Sequence, residues 1–171
     1  TWGITTNNNL QYALEEAIVG TYSGVDVTFT GSDKTLTWST SSKTSQTARF
    51  LRLNLTGRAG GSSNLIIPTA AAGGAGTFKK SYIINNASTT AVTVKTASGT
   101  GVLVPAGKSA CVYADGTNVV YSIDYLSGTI LSSDVDINGG TIDGTTIGAA
   151  TPSTGAFTTL AASSTVSGAG F

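Results

Sequence analysis

Three isoleucines, Ile137, Ile142 and Ile147, recur at five-residue intervals in a stretch otherwise built mainly of Gly, Thr, Asn, Asp and Ser. Phe157, Leu160 and Val166 continue this sparse apolar pattern toward the end of the chain. Single apolar residues so far apart cannot bury a core of their own, because ordering the backbone costs more than they return. Two outcomes remain. The segment is a linker, or it buries its apolar side chains against other copies of itself. The regular placement of single β-branched residues favours the second. Residues 127–171 contain no Lys or Arg, and eight of these 45 residues are Gly. Gly and Asn allow tight turns between short strands. Three parallel copies would bring three isoleucines to a common axis at each level, and each buried Ile contributes about 1.5–3 kcal/mol. Ile137, Ile142, Ile147, Phe157, Leu160 and Val166 are therefore the candidate inter-chain contacts of an extended, trimeric shaft.

The remainder of the chain has enough apolar residues for a core of its own. Residues 7–19 are expected to form a helix, with Leu10, Leu14, Ala17 and Ile18 at helical spacing. The run Asn7-Asn8-Asn9 offers N-cap side chains and Gly20 a stop. At about three turns such a helix is marginal alone and must pack on something. From residue 25 the period changes to two. Val25, Val27 and Phe29 alternate with Asp26 and Thr28, and Leu51, Leu53 and Leu55 alternate with Arg52 and Asn54. Similar runs follow as far as residue 125, separated by Gly-, Asn- and Pro-containing turns. About nine short strands at such intervals predict a mainly β fold, an antiparallel β-sandwich or barrel. Val27, Phe29, Trp38, Leu53, Val94, Val112 and Ile123 are its expected core. Asp115-Gly116 is the clearest hairpin, since Gly116 can take φ > 0. The expected organisation is an N-terminal helical segment at 1–24, an antiparallel β domain at 25–126 and the shaft at 127–171.

Composition removes several kinds of chemistry. There is no His, and Cys111 is the only Cys. His-based acid–base catalysis, the usual triads, the usual zinc sites and an intrachain disulfide are all excluded. No apolar run approaches the roughly 20 residues of a membrane-spanning helix. Residues 1–108 carry nine Lys and Arg against Glu15, Glu16, Asp26 and Asp33, or 9 − 4 = +5. Residues 109–171 carry five Asp and no base, or −5. An acidic tail and the absence of a dense basic cluster speak against nucleic-acid binding. The chain has no Met and opens without a signal-peptide pattern, as a piece of a longer or processed polypeptide would.

The remaining chemical motifs are incomplete. Asp134-Val135-Asp136-Ile137-Asn138-Gly139 matches the first half of a calcium loop, but Thr145 stands where the bidentate Glu belongs. A shaft turn is the better account. Residues 74–79 have the glycines of a phosphate loop without its spacing, and a strand follows instead of a helix. Glu15 and Glu16 point about 100° apart on a helix, so they are expected on a solvated face. Trp2, Trp38, Tyr82, Tyr113, Tyr121 and Tyr125 could build a sugar platform, but most sit at alternating strand positions where aromatics are more often core. The N-x-S/T sequons at Asn54 and Asn86 read as chance, and Cys111 as a strand filler. The expectation is therefore no enzyme, no cofactor and no metal.

Residues 139–160, GGTIDGTTIGAATPSTGAFTTL, resemble the IDGTxIG…P…GxFTTL segments of bacteriophage tail fibres and related virion fibre proteins. Residues 91–120 are similar to the β-rich modules that precede those shafts. The resemblance implies a homotrimeric structural component of the virion, extracellular, contacting other tail proteins. It implies a host receptor bound by a more distal region, and no catalytic residue. Two rivals come from other classes: a carbohydrate-binding β-sandwich, and the non-catalytic N-terminal part of a tailspike enzyme.

Overall fold

The computed structural model describes residues 2–10, 14, 16–18, 25–39, 46–58, 63–70 and 77–127, with 155, 159 and 161 beyond them. The chain divides into two units, Thr1–Ser127 and Gly128–Phe171. The six residues expected in the shaft, Ile137, Ile142, Ile147, Phe157, Leu160 and Val166, lie outside the described residues, as does the acidic motif at 134–139.

The alternating runs form nine strands among the described residues: β1 (Val25–Thr30), β2 (Lys34–Thr35), β3 (Arg52–Arg58), β4 (Asn64–Ile67), β5 (Lys80–Asn86), β6 (Val92–Thr96), β7 (Gly101–Val104), β8 (Ser109–Ala114) and β9 (Val119–Tyr121). The fold is mainly β, as the alternation predicts, but neither antiparallel throughout nor a closed barrel. One sheet has the order β1-β3-β5-β8-β9 and the other β2-β4-β6-β7. The pairs β1–β3, β3–β5, β2–β4 and β4–β6 are parallel. Only β5–β8, β6–β7 and β8–β9 are antiparallel.

The reason lies in the connections. Gly31-Ser32-Asp33 does not return the chain beside β1; it carries it to the other sheet. The chain therefore winds, with β1, β3 and β5 laid on one another in one sheet and β2, β4 and β6 in the other. Val25 pairs with Leu53 and Leu53 with Ile84, so successive turns take 53 − 25 = 28 and 84 − 53 = 31 residues. Parallel neighbours need a long crossover, and here the opposite sheet supplies it. The winding ends where β7 folds back on β6 and β8–β9 fold back beside β5.

Period-two alternation then does what it does in any two-layer sheet protein. One face of each strand enters a common core: Val27, Phe29, Leu53, Leu55, Tyr82, Ile84 and Val112 from the first sheet, Leu65, Ile67, Val92, Val94, Val102 and Val104 from the second. Trp38 is half-buried beside this core. Ile123, expected inside, is 59% exposed because the ladder stops at Tyr121.

The expected N-terminal helix is present, but it begins earlier, at Trp2, and does not pack as expected. α1 spans Trp2–Asn8, and a short α2 spans Glu16–Ile18. Asn9, Leu10 and Leu14 continue as π-helix, so every described residue of 7–19 is helical, and the Asn run lies inside the helical stretch instead of capping its start. No residue of α1 is buried. Leu10, Leu14 and Ile18, the expected packing face, are all half or more exposed.

Candidate functional site

Winding stacks equivalent positions of successive turns about 4.8 Å apart. On the outward face of the first sheet this stacking produces a row of short polar side chains, Asp26, Asn54, Asn85 and Ser109, brought into register by β1, β3, β5 and β8. Asn54 Nδ2 donates to Asp26 Oδ1 at 2.7 Å, and Asn85 Nδ2 to Asn54 Oδ1 at 2.7 Å. Ser109 Oγ donates to Asn85 Oδ1 at 3.0 Å. The row has a direction: every donor points toward β1, and the carboxylate of Asp26 ends it. Each bond polarises the next. The hydroxyls of Thr28 and Thr56 make a second contact of this kind, 3.0 Å apart, two residues along.

Where the winding ends, two turns are tied together. In the turn after β8, Asp115 Oδ1 accepts the backbone N–H of Thr117 and of Asn118, both at 2.7 Å. These bonds, the one from Asn118 first, hold the Asp115 carboxyl below its ordinary value. Gly116 takes φ +95°, as the sequence predicts for this hairpin. The turn between β6 and β7 meets it: the Thr96 hydroxyl donates to Thr117 O and accepts from Gly99 N–H. Thr100 donates from both N and Oγ1 to Asn118 Oδ1. A Cβ on Gly99 would fall on the Thr117 carbonyl.

Buried polar groups brace the corners. Asn86 is fully buried. Its Nδ2 donates to the carbonyls of Thr90 and Val104, and its Oδ1 accepts Ser88 N and Ser88 Oγ. Four bonds on one amide fix the passage from β5 to β6 against β7. At the first turn, Asp33 accepts the Asn64 side-chain and backbone N–H groups, and both lower its pKa, the side chain more. Tyr82 donates its hydroxyl to Ala48 O at 2.8 Å, and burial pushes its pKa well above the ordinary 10.0. Trp38 lies against Phe78 with ring centroids 4.2 Å apart, and Lys80 Nζ stands 5.5 Å over the Tyr82 ring. Desolvation lowers the Lys80 pKa.

Glu16, expected on a solvated helix face, is instead buried, and its Oε2 accepts Gln46 N at 3.3 Å. Trp38 and Tyr82 belong to the core region, while Trp2, Tyr121 and Tyr125 are exposed. Asn54 and Asn86 are both engaged in side-chain bonds, one in the row and one inside. Cys111 lies in β8, as expected for a strand filler, exposed and paired in register with Ile83. Among the described residues no three His, Cys, Asp or Glu side chains are grouped as a metal would need.

Sequence reasoning missed the polar row, although a signal for it exists. Val25-Asp26-Val27-Thr28 recurs as Leu53-Asn54-Leu55-Thr56 after 28 residues, and Ile84-Asn85 follows after 31 more. A repeat of that period is the mark of a wound or stacked chain.

One concave feature adjoins the row. An open groove of about 180 Å³ runs between the edge strands β1 and β2, lined by Asp26, Val27, Thr28, Lys34, Thr35, Leu36, Thr37 and Thr47. Val27 and Leu36 are its apolar lining, beside four threonines and the charged Asp26 and Lys34. No family model, no curated protein and no solved structure matches the chain.

Proposed function

We propose that the chain is a non-enzymatic structural module of a bacteriophage tail fibre. Residues 1–24 attach to other virion tail proteins or to neighbouring subunits. The β unit braces that attachment, and residues 127–171 form a trimeric shaft leading toward a distal receptor-binding tip.

The observation that carries this reading is the placement of apolar side chains along the chain. Within the wound sheets most of them are inside, Ile83, Leu103, Val120 and Tyr121 being exposed. On both sides of them in sequence they are not: Trp2, Ile4, Leu10, Leu14 and Ile18 before β1, and Ile123, Tyr125 and Leu126 after β9, are all half or more exposed. Large apolar side chains left in water in such numbers mark surfaces made for other chains. The five-residue spacing of Ile137, Ile142 and Ile147 and the resemblance of residues 139–160 to fibre segments support the same reading.

Ile142→Asp tests it. Three carboxylates would meet at the shaft axis, and unpaired buried charge is costly. The assembly should fall apart while the β unit, which has its own core, keeps its β circular-dichroism spectrum. An oligomer that is intact and equally heat-resistant would refute the shaft.

A further inference from the structure

We infer that the open edge of β1 takes an extended strand from another polypeptide, added parallel to β1, with an asparagine facing Asp26. The inference stands on the geometry of the wound sheets and not on the fibre reading.

Three observations meet at this edge. Among the described residues β1 is hydrogen-bonded on one side only, to β3. Its six residues, Val-Asp-Val-Thr-Phe-Thr, include no Pro, Lys or Gly. Edge strands that must stay single are usually guarded by Pro, a bulge or charged side chains, Lys above all; the one charge on β1 is Asp26, the end of the polar row. The groove between β1 and β2, with Val27 and Leu36 as its apolar lining, lies along the same edge and can receive the inward side chains of an added strand.

The polar row then states what chemistry the added strand must bring. Ser109 donates to Asn85, Asn85 to Asn54 and Asn54 to Asp26. A carboxylate has no proton to pass on, so the next group along must be a donor. Asp26 Oδ1 is engaged by Asn54, and Oδ2 has no partner among the described residues. The row also sets the reach: an Asn side chain spans neighbouring strands at 2.7 Å in both of its existing steps. The alternation of the sheet requires apolar residues on either side of that Asn. The fitting segment is therefore apolar–Asn–apolar–Thr, the pattern that β3 itself presents to β1. Strand addition of this kind takes its affinity from main-chain bonds and its selectivity from alternate side chains. An incoming Asp or Glu would set a second carboxylate against Asp26 with no proton between them.

The probe is a fluorescent peptide with the sequence of residues 51–58, added to the 171-residue chain and followed by anisotropy and hydrogen exchange. The expected result is saturable binding, with amide protection confined to Val25–Thr30 and the groove. Replacing the peptide's Asn54 by Asp should weaken binding about tenfold, the loss of one good hydrogen bond. Asp26→Asn in the protein should restore the Asp peptide, because an amide at position 26 can donate to it. Position 26 is exposed, so this variant keeps the core intact, which circular dichroism would verify. No binding, protection elsewhere, or an affinity indifferent to the exchange of Asn for Asp would each overturn the proposal.

Discussion

The wound sheets and the N-terminal segment obey opposite rules. Between Val25 and Tyr121 nearly every inward position of a strand is closed to water, and buried polar groups such as Asn86 and Thr96 are bonded. Among the described residues between Trp2 and Ile18 the large apolar side chains face solvent, and the buried residue is a carboxylate, Glu16. The first region carries its own reason to fold. The second, with a seven-residue helix and no buried residue in it, does not. One chain thus contains a part with a closed core and a part whose described apolar side chains are exposed. Residues 127–171 resemble the second by sequence, since their large apolar residues are sparse, with Ile137, Ile142 and Ile147 five apart.

This contrast can be broken by substitution. Leu55→Ala, at a fully buried site between the sheets, should destabilise the β unit by about 2–5 kcal/mol. Leu14→Ala, at a half-exposed site, should change the same denaturation midpoint by no more than about 0.5 kcal/mol. Equal effects in chemical denaturation would erase the distinction. Asn86→Ala should rank next, at about 2–3 kcal/mol, because it leaves the buried Val104 carbonyl and its neighbours without their donor. A loss under half of that would mean the corner relaxes easily.

A smaller effect follows from the carboxylates that hold turns. Asp33 and Asp115 both have pKa values below the ordinary 3.8 because they accept amide N–H groups in the fold. Their contribution is complete above the unfolded-state value and disappears as pH falls through the lowered one. Stability should therefore decline in acid, below about pH 4. Asp33→Asn with Asp115→Asn should flatten that decline, with its stability loss at neutral pH and little difference from the parent chain in acid. An unchanged acid slope in the double variant would show that these turns do not set it.

Much of the β unit was legible in the sequence, and for identifiable reasons. Alternation such as Val25/Val27/Phe29 reports one buried face, so the strands and core residues like Leu53 and Val94 could be read. It does not report strand direction, because parallel and antiparallel neighbours bury the same face. Direction was encoded instead in the 28-residue recurrence of aliphatic–Asx–aliphatic–Thr, which is short and degrades to Ile84-Asn85-Asn86 by the third turn. Asp115-Gly116 was readable because its geometry is local. Glu16 was not, since its hydrogen-bond partner Gln46 lies thirty residues away. The polar row depends on the same long-range register, so no single strand reveals it.

The central claim is that the exposed apolar residues flanking the sheets, and those spaced along 127–171, exist for contact between copies of the chain. The mass of the 171-residue assembly in solution, by light scattering or native mass spectrometry, tests this most directly. The account predicts three times 17.1 kDa, unchanged on dilution through the micromolar range. A particle of 17.1 kDa across that range would contradict it.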